Sequence, residues 1–276
     1  MIWLHCALIY EPVKAHGILA ICTYYYRVSF ILDEQIGAVL RLTLNRPEKK
    51  NAITQDMYQR LADKINEAAG DFSIRAVVIN SNGDSFTAGN DINDFANDPQ
   101  MDEGSPVFNF LFAIHNFPKP LIASVKGRAV GIGTTMLLHC DLVTANPNTQ
   151  FSMPFVSLGL VAEGGSSYLF PRLVGHAKAS EILLTGRTFS ADEAKEMGLI
   201  KSIAADELAA AMAFANEIAE QPPNAVINTK ALLKSGSHEA LNQVIKAEGI
   251  LFKMATESDE AQLAFMNFLA KKSKVK

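Results

Sequence analysis

The chain has 276 residues, enough for one large domain or one domain with a small appendage, and its 49% hydrophobic and 20% charged residues exclude a disordered or fibrous protein. With 25 basic against 29 acidic residues the formal charge is −4, so there is no global positive field of the kind that draws a protein to nucleic acid or an anionic membrane. Cys6, Cys22 and Cys140 have neither metal-ligand nor CxxC spacing and leave an odd thiol, which points to a reducing, cytoplasmic compartment with no metal site and no disulfide framework.

Residues 1–27 hold the only Trp, four of the six Tyr and two of the three Cys, without a helical or alternating period. Glu11-Pro12 interrupts the first apolar run, which does not suit a secretory signal, and no run approaches the ~18 apolar residues of a membrane helix. Two readings stand for this segment: an upstream extension from a misplaced start, or an appendage covered by a partner. From Val28 the pattern becomes orderly. SFILDE and AVLRLTL read as strands about Gly37, NRPEKKN as a loop, and Thr54 caps a helix whose Met57, Leu61, Ile65 and Ala68 share a face. AVVIN is a short continuous apolar strand and SNGDSFTAGNDI a glycine-containing loop. VFNFLFAIHNF is an apolar helix, followed by strand PLIASV, turn KGRA and GIGTTMLLHCD. LVTAN and QFSMP are strands, EGGSSYLFPRLVG and HAKASEILLTG helices. In SADEAKEMG, Ser190 and Glu193 have capping-box spacing before the stop at Gly198. After strand LIKSIA everything from Asp206 reads helical. The layout is an α/β core over 28–204 with a helical region over 205–276.

FTAGND and AVGIGTT share one device: an apolar strand ends in a glycine-bearing turn and a helical turn begins. N–H groups at such a junction lack an intrahelical acceptor, and glycine lets a ligand approach the main chain. Two such loops can each offer an N–H to one oxygen, the arrangement of an oxyanion hole, although glycines there are also explained by the turns alone. GIG is too little for a dinucleotide fingerprint, and AVGIGTT lacks the Gly-Lys-Ser/Thr ending of a phosphate loop, so no cofactor is indicated. Glu163, a single carboxylate before Gly164-Gly165, has two readings: an anion at a helix N-terminus, or a desolvated base beside a pocket.

LNRPEKKNAIT (44–54), FTAGNDI (86–92), PKPLIASVKGRAVGIG (118–133), the run from HCDLV to FSMPFVSLGL (139–160) and TGRTFSADEAKEMGLI (185–200) together resemble the crotonase, or enoyl-CoA hydratase/isomerase, superfamily over about residues 30–273. The resemblance implies a spiral of ββα turns with a helical C-terminal trimerisation region, trimers or dimers of trimers, an acyl-CoA thioester substrate, and no cofactor beyond the coenzyme A of that substrate. It implies main-chain oxyanion donors at Asn90 and Ile132, and substrate or CoA contacts at Lys50, Ala52, Ala88, Gly89, Asp91, Ile92, Gly131, Phe155 and Leu158. Hydratases of the family carry two carboxylates where this chain has Thr135 and Phe155. Glu163 falls where the 3,2-trans-enoyl-CoA isomerases place their single catalytic Glu. GNDI, PFVSLGLVAEGGSSYLFPRLVG and NFLAKKSK are similar to the peroxisomal-type isomerase branch, while the terminal KKSKVK is not an S-K-L type address.

A pocket walled by Phe155, Leu158, Leu160 and Val161 is expected to desolvate Glu163 and raise its pKa. Asp91 is read as ordering its loop rather than touching substrate, Asp141 as structural, and His115 and His139 as packed in apolar stretches. Lys49, Lys50, Lys126 and Arg128 are turn cations, some of which can meet CoA phosphates. Phe108, Phe110, Phe112 and Phe117 suit either an acyl tunnel or plain core. Rival functions are another crotonase reaction, such as thioester hydrolysis or weak hydration, and an acyl-CoA-binding or RNA-binding protein without turnover; the acidic balance opposes RNA.

Overall fold

β1 (Ile31–Ile36) and β2 (Val39–Leu44) form an antiparallel pair about Gly37, and β2 then lies parallel to β3 (Ala76–Ser81). The structure is a computed structural model that describes residues 29–92 and 103–273; the reading of residues 1–27 as an extension falls outside them. Parallel pairing continues through β4 (Leu121–Val125), β6 (Leu142–Ala145) and β9 (Ser202–Ile203), giving the order β1-β2-β3-β4-β6-β9. All six residues of β3 are buried, as a continuous apolar strand requires when both faces are covered.

The two faces of that strand go to different partners. Ala76 and Val78 join Val39 and Ile122 against Ala211 and Ala215 of the helix Glu207–Ala219. Val77 and Ile79 point into the main core with Leu61, Ile65 and Phe110. The helices on this side are α1 (Gln55–Gly70), capped by Thr54 Oγ1, and α2 (Pro106–Asn116), capped by Ser105 with Pro106 in its first turn. Tyr58 and Phe110 meet across them with ring centroids 5.6 Å apart. The phenylalanines of α2 divide: Phe108 and Phe110 are buried in this core and Phe112 packs at its edge, and none of them lines the apolar cavity described below.

A second sheet is absent from the sequence reading. It pairs β5 (Arg128–Val130), β7 (Gln150–Ser152) and β8 (Thr188–Ser190), with Phe151 stacked on Phe189 at 5.5 Å. KGRA reads as a turn from sequence, yet Arg128 and Ala129 are strand; three-residue strands carry too little alternation to register. GIGTTMLLHCD is a four-residue helix α3 (Ile132–Thr135) followed by a 3-10 turn (Met136–His139). Of EGGSSYLFPRLVG only α4 (Ser166–Val174) is helical, so Glu163 stands before the helix rather than in it.

Then come α5 (His176–Thr185), α6 (Ala191–Glu196), α7 (Glu207–Ala219), α8 (Pro223–Ser235), α9 (His238–Thr256) and α10 (Asp259–Ser273). Residues Ile31–Lys276 form one compact unit. Among the described residues no helix is long and apolar enough to cross a membrane.

Candidate active site

The two glycine loops touch. Thr87 N donates to Arg128 O at 3.0 Å and Val130 N to Thr87 O at 3.1 Å, a parallel bridge that fixes the loop after β3 against β5. Gly133 shows why glycine is needed there: a Cβ would stand 2.4 Å from Thr87 Cγ2, closer than any real contact, so the glycine serves the approach of two loops and not merely a turn. A second bridge pairs Ile53 with Asn90 through Ile53 N to Gly89 O and Asp91 N to Ile53 O, both 2.9 Å. Behind these lies Asn51, fully buried, whose side chain donates to Asn82 O and Ser85 O and accepts from Arg46 N.

These bonds leave two donors over. The Ile53–Asn90 bridge uses the Gly89 carbonyl and the Asp91 N–H, the Gly89 N–H goes to Thr87 Oγ1, and the Asn90 N–H is left over; Ile132 is the first residue of α3, where no intrahelical carbonyl precedes it. Among the described residues neither the Asn90 nor the Ile132 N–H has a protein acceptor. Both residues line an apolar cavity of about 520 Å³, together with Phe155, Leu158, Leu160 and, from α9 and α10, Phe252 and Phe265. A mostly apolar cleft with a few convergent polar groups is what a ligand site requires.

Glu163 is 3% exposed, and burial, reinforced by the nearby Glu248 charge, pushes its carboxyl up to about 8. The hydrogen bond from Thr135 Oγ1 to Oε1, 2.7 Å, acts the other way. Among the described residues Oε2 has no hydrogen-bond partner, and it is not among the sealed polar atoms of the interior. Thr135 ends the short helix that Ile132 begins, so base candidate and N–H donor hang from one helical turn. On the other side, the Tyr58 hydroxyl donates to the Asn90 side chain. Burial and the Glu163 charge hold that phenol well above its usual range. The Asn90 side chain therefore has an occupation of its own.

The turn after Glu163 is held by two side chains, His139 and Glu248. Gly164 and Gly165 both adopt left-handed φ, 67° and 75°, which an L side chain resists. His139 Nε2 lies 2.7 Å from Gly164 O, and burial pushes that imidazole down to about 3, so it is a neutral donor rather than mere packing. The α4 N-terminus is capped by a residue from α9. Glu248 accepts from Gly165 N at 2.6 Å, from Ser167 N at 2.9 Å and from Ser167 Oγ at 2.5 Å. The reading of Glu163 as the anion of this helix N-terminus therefore fails: Glu248 takes those donors.

Of the residues the family resemblance singled out, Ala88, Gly89, Asn90, Ile92, Gly131, Ile132, Phe155 and Leu158 line the cavity together. Lys50, Ala52 and Asp91 do not. Asp91 is engaged by Arg46 at 2.6 Å, in keeping with a loop-ordering role. Lys50 has φ 51° and offers its carbonyl to Ala88 N, which ties the 47–52 loop to the AGND loop. Leu160 lines the cavity as expected, but Val161 does not, and Glu163 itself is not among the lining residues. Asp141 accepts from Leu121 N and pairs with Lys230, a structural role.

Sequence reasoning missed Glu248 and Tyr58. Both stand on the apolar faces of amphipathic helices, Glu248 between Ile245 and Phe252 and Tyr58 beside Met57 and Leu61. A polar group on a core face is the signal that was there to find. Among the described residues no group of three or more His, Cys, Asp or Glu is placed to hold a metal.

A mixed α/β core with a helical C-terminal region, and two glycine loops presenting free N–H groups to an apolar cavity, define the crotonase class. Residues 34–275 match the family described as Enoyl-CoA hydratase/isomerase, and the chain belongs to that family. It is 36% identical over 251 residues to human enoyl-CoA delta isomerase 2, covering 86% of this chain and 62% of that protein. It is 32% identical to the 2,3-dehydroadipyl-CoA hydratase of Escherichia coli K12, covering 85% of this chain and 93% of the hydratase. The solved structure of Pseudomonas aeruginosa OdaA superimposes with a TM-score of 0.85 at 44% identity, covering 87% of this chain and 98% of OdaA. The chain thus spans about three-fifths of the length of the human isomerase it matches.

Proposed function

We propose that the chain isomerises 3-enoyl-CoA thioesters to the conjugated 2-trans form, with Glu163 as the one acid/base and the N–H groups of Asn90 and Ile132 holding the thioester enolate oxygen. The observation that carries this reading is the state of Glu163: buried, pushed up to about 8, with one donor on Oε1 and, among the described residues, none on Oε2. A carboxylate with a pKa close to the working pH is matched to taking a proton and giving it back. It removes a proton from C2 of the acyl chain, negative charge collects on the thioester oxygen between the two N–H groups, and the same carboxyl returns a proton to C4. Each oxyanion donor of this kind contributes about 10²–10³ in rate. Their preorganisation rests on the Thr87–Ala129 and Ile53–Asn90 bridges.

Hydration needs a group to activate water and a second to deliver a proton. Thr135 and Phe155 stand where hydratases keep those carboxylates, and Glu248, the other acid near Glu163, is saturated by three donors. These features favour isomerisation over hydration. The test is ultraviolet absorbance of the conjugated thioester after mixing with a 3-enoyl-CoA, with 2-enoyl-CoA as the hydration control. Absorbance should rise with the parent chain and rise at least about a hundredfold more slowly with Glu163→Gln; equal rates, or net hydration of the 2-enoyl-CoA as the faster reaction, would overturn the reading.

The same reading includes assembly as a homotrimer or a dimer of trimers. Leu232, Leu233, Ile250, Leu251, Met254, Leu263 and Met266 are exposed on α8, α9 and α10, more apolar surface than an isolated helical region commonly leaves in water. The free thiol of Cys140 suits a reducing compartment, and size-exclusion with light scattering measures the assembly.

A further inference from the structure

A second cavity, of about 380 Å³, opens between the end of α2, residues 117–118 and α8, and shares no lining residue with the cavity of Asn90 and Ile132. Its wall carries His115, Lys230, Lys234 and His238 and no carboxylate, with Phe117 and Ile227 among its apolar residues. Lys230 is fully engaged: its Nζ donates to Lys119 O at 2.7 Å and pairs with Asp141 Oδ2 at 2.6 Å. Lys234 is not. Among the described residues its only acceptor is the neutral carbonyl of His115 at 3.1 Å, and it has no ion pair.

His115 is 2% exposed, and neither ring nitrogen has a hydrogen-bond partner. Its ring stacks on His238 with centroids 4.6 Å apart. Both ring nitrogens are closed off inside the packing, so the polar group left for a ligand is the Lys234 ammonium, which has no ion pair among the described residues. Burial pushes the His115 imidazole down to about 4, helped by the Lys234 and His238 charges and weakly opposed by the His238 carbonyl. Burial and the Lys230 charge push the Lys234 ammonium down to about 8. His115 is therefore a neutral ring, and Lys234 is the cation on this wall that lacks an ion pair among the described residues.

We propose that this cavity is an accessory binding site for a small aliphatic carboxylate, its head group meeting Lys234 Nζ beside the stacked His115 and His238 rings and its chain lying on Phe117 and Ile227. Inorganic phosphate would satisfy the cations equally but leave the apolar part of the wall unused, and an alcohol would do the reverse.

The test titrates hexanoate, hexanol and inorganic phosphate separately into the full chain at constant ionic strength, following the imidazole resonances of His115 and His238. Hexanoate should shift both signals saturably while hexanol does not. Lys234→Met, which keeps the stem and removes the charge, should weaken hexanoate at least about tenfold, as expected when a buried charge partner is removed. Leu158→Trp, which fills the other cavity, should leave hexanoate binding unchanged. Equal shifts with hexanol, no effect of Lys234→Met, or loss of binding in Leu158→Trp would each overturn the proposal, as would imidazole shifts from phosphate alone. The resonance shifts in the parent chain decide the matter even if Lys234→Met unfolds.

Discussion

Glu163 and Glu248 are both buried carboxylates, both pushed upward by desolvation, and they flank the same glycine turn. Their surroundings differ in one respect. Glu248 accepts three hydrogen bonds, two of them from main-chain N–H groups at a helix N-terminus, and every one favours its charged form. Glu163 accepts one, from Thr135. The first is an anion the fold has solvated, and the second is an anion the fold has left short of donors. That shortage equips it to exchange a proton, and it also costs stability.

The sharpest way to break the comparison is Glu163→Gln. Beyond the loss of the proposed isomerase rate, it should stabilise the protein in a pH-dependent way. A carboxyl near 8 in the folded chain and near the ordinary value of about 4.3 unfolded binds its proton more tightly when folded, so stability falls as pH rises through that window. An uncharged amide at this position escapes the penalty. The variant's thermal midpoint should therefore match the parent's near pH 4 and exceed it at pH 8.5, by an amount equivalent to about 3–5 kcal/mol as an upper range. A parallel pair of pH–stability curves would show that Glu163 carries no such burden.

Next in size is Glu248→Ala, which strips the acceptor from Gly165 N and Ser167 N and should lower stability by about 2 kcal/mol in denaturant unfolding. Glu248→Gln separates cap from charge. It keeps an acceptor but removes the negative neighbour that raises Glu163, so the rising limb of kcat/KM should move to lower pH with little change in plateau rate. The smallest effect is expected for Thr135→Val. Losing the donor that favours ionised Glu163 should shift the same limb upward, by up to about one pH unit. If both variants moved the limb in one direction, the contrast between the two carboxylates would collapse.

The long parts of the fold were legible because their patterns are long. Met57, Leu61, Ile65 and Ala68 lie on one face of α1 as their spacing predicts, and AVVIN is buried throughout. β5 and β8 were not legible, since three residues show no period and both are strand only because β7 lies between them. Of the candidate site, the donor positions and the cavity-lining Phe155 and Leu158 came through the family motifs and not through spacing, which by itself explains the glycines as turns. Glu248 stayed hidden for a physical reason: it reaches the Glu163 turn from a helix far along the chain, and only the folded packing of α9 on α4 brings it there.

The Thr87–Ala129 bridge has a consequence for anyone wishing to move this site elsewhere. The Asn90 and Ile132 donors come from segments well separated in sequence, yet one pair of main-chain bonds holds both in a single register. Side chains can be exchanged at either position without shifting an N–H, whereas one inserted residue between Thr87 and Asn90 would displace its donor by roughly 3.3 Å. The portable part is therefore a matched pair of loops with their spacing intact, and either loop grafted alone carries only one of the two free N–H groups.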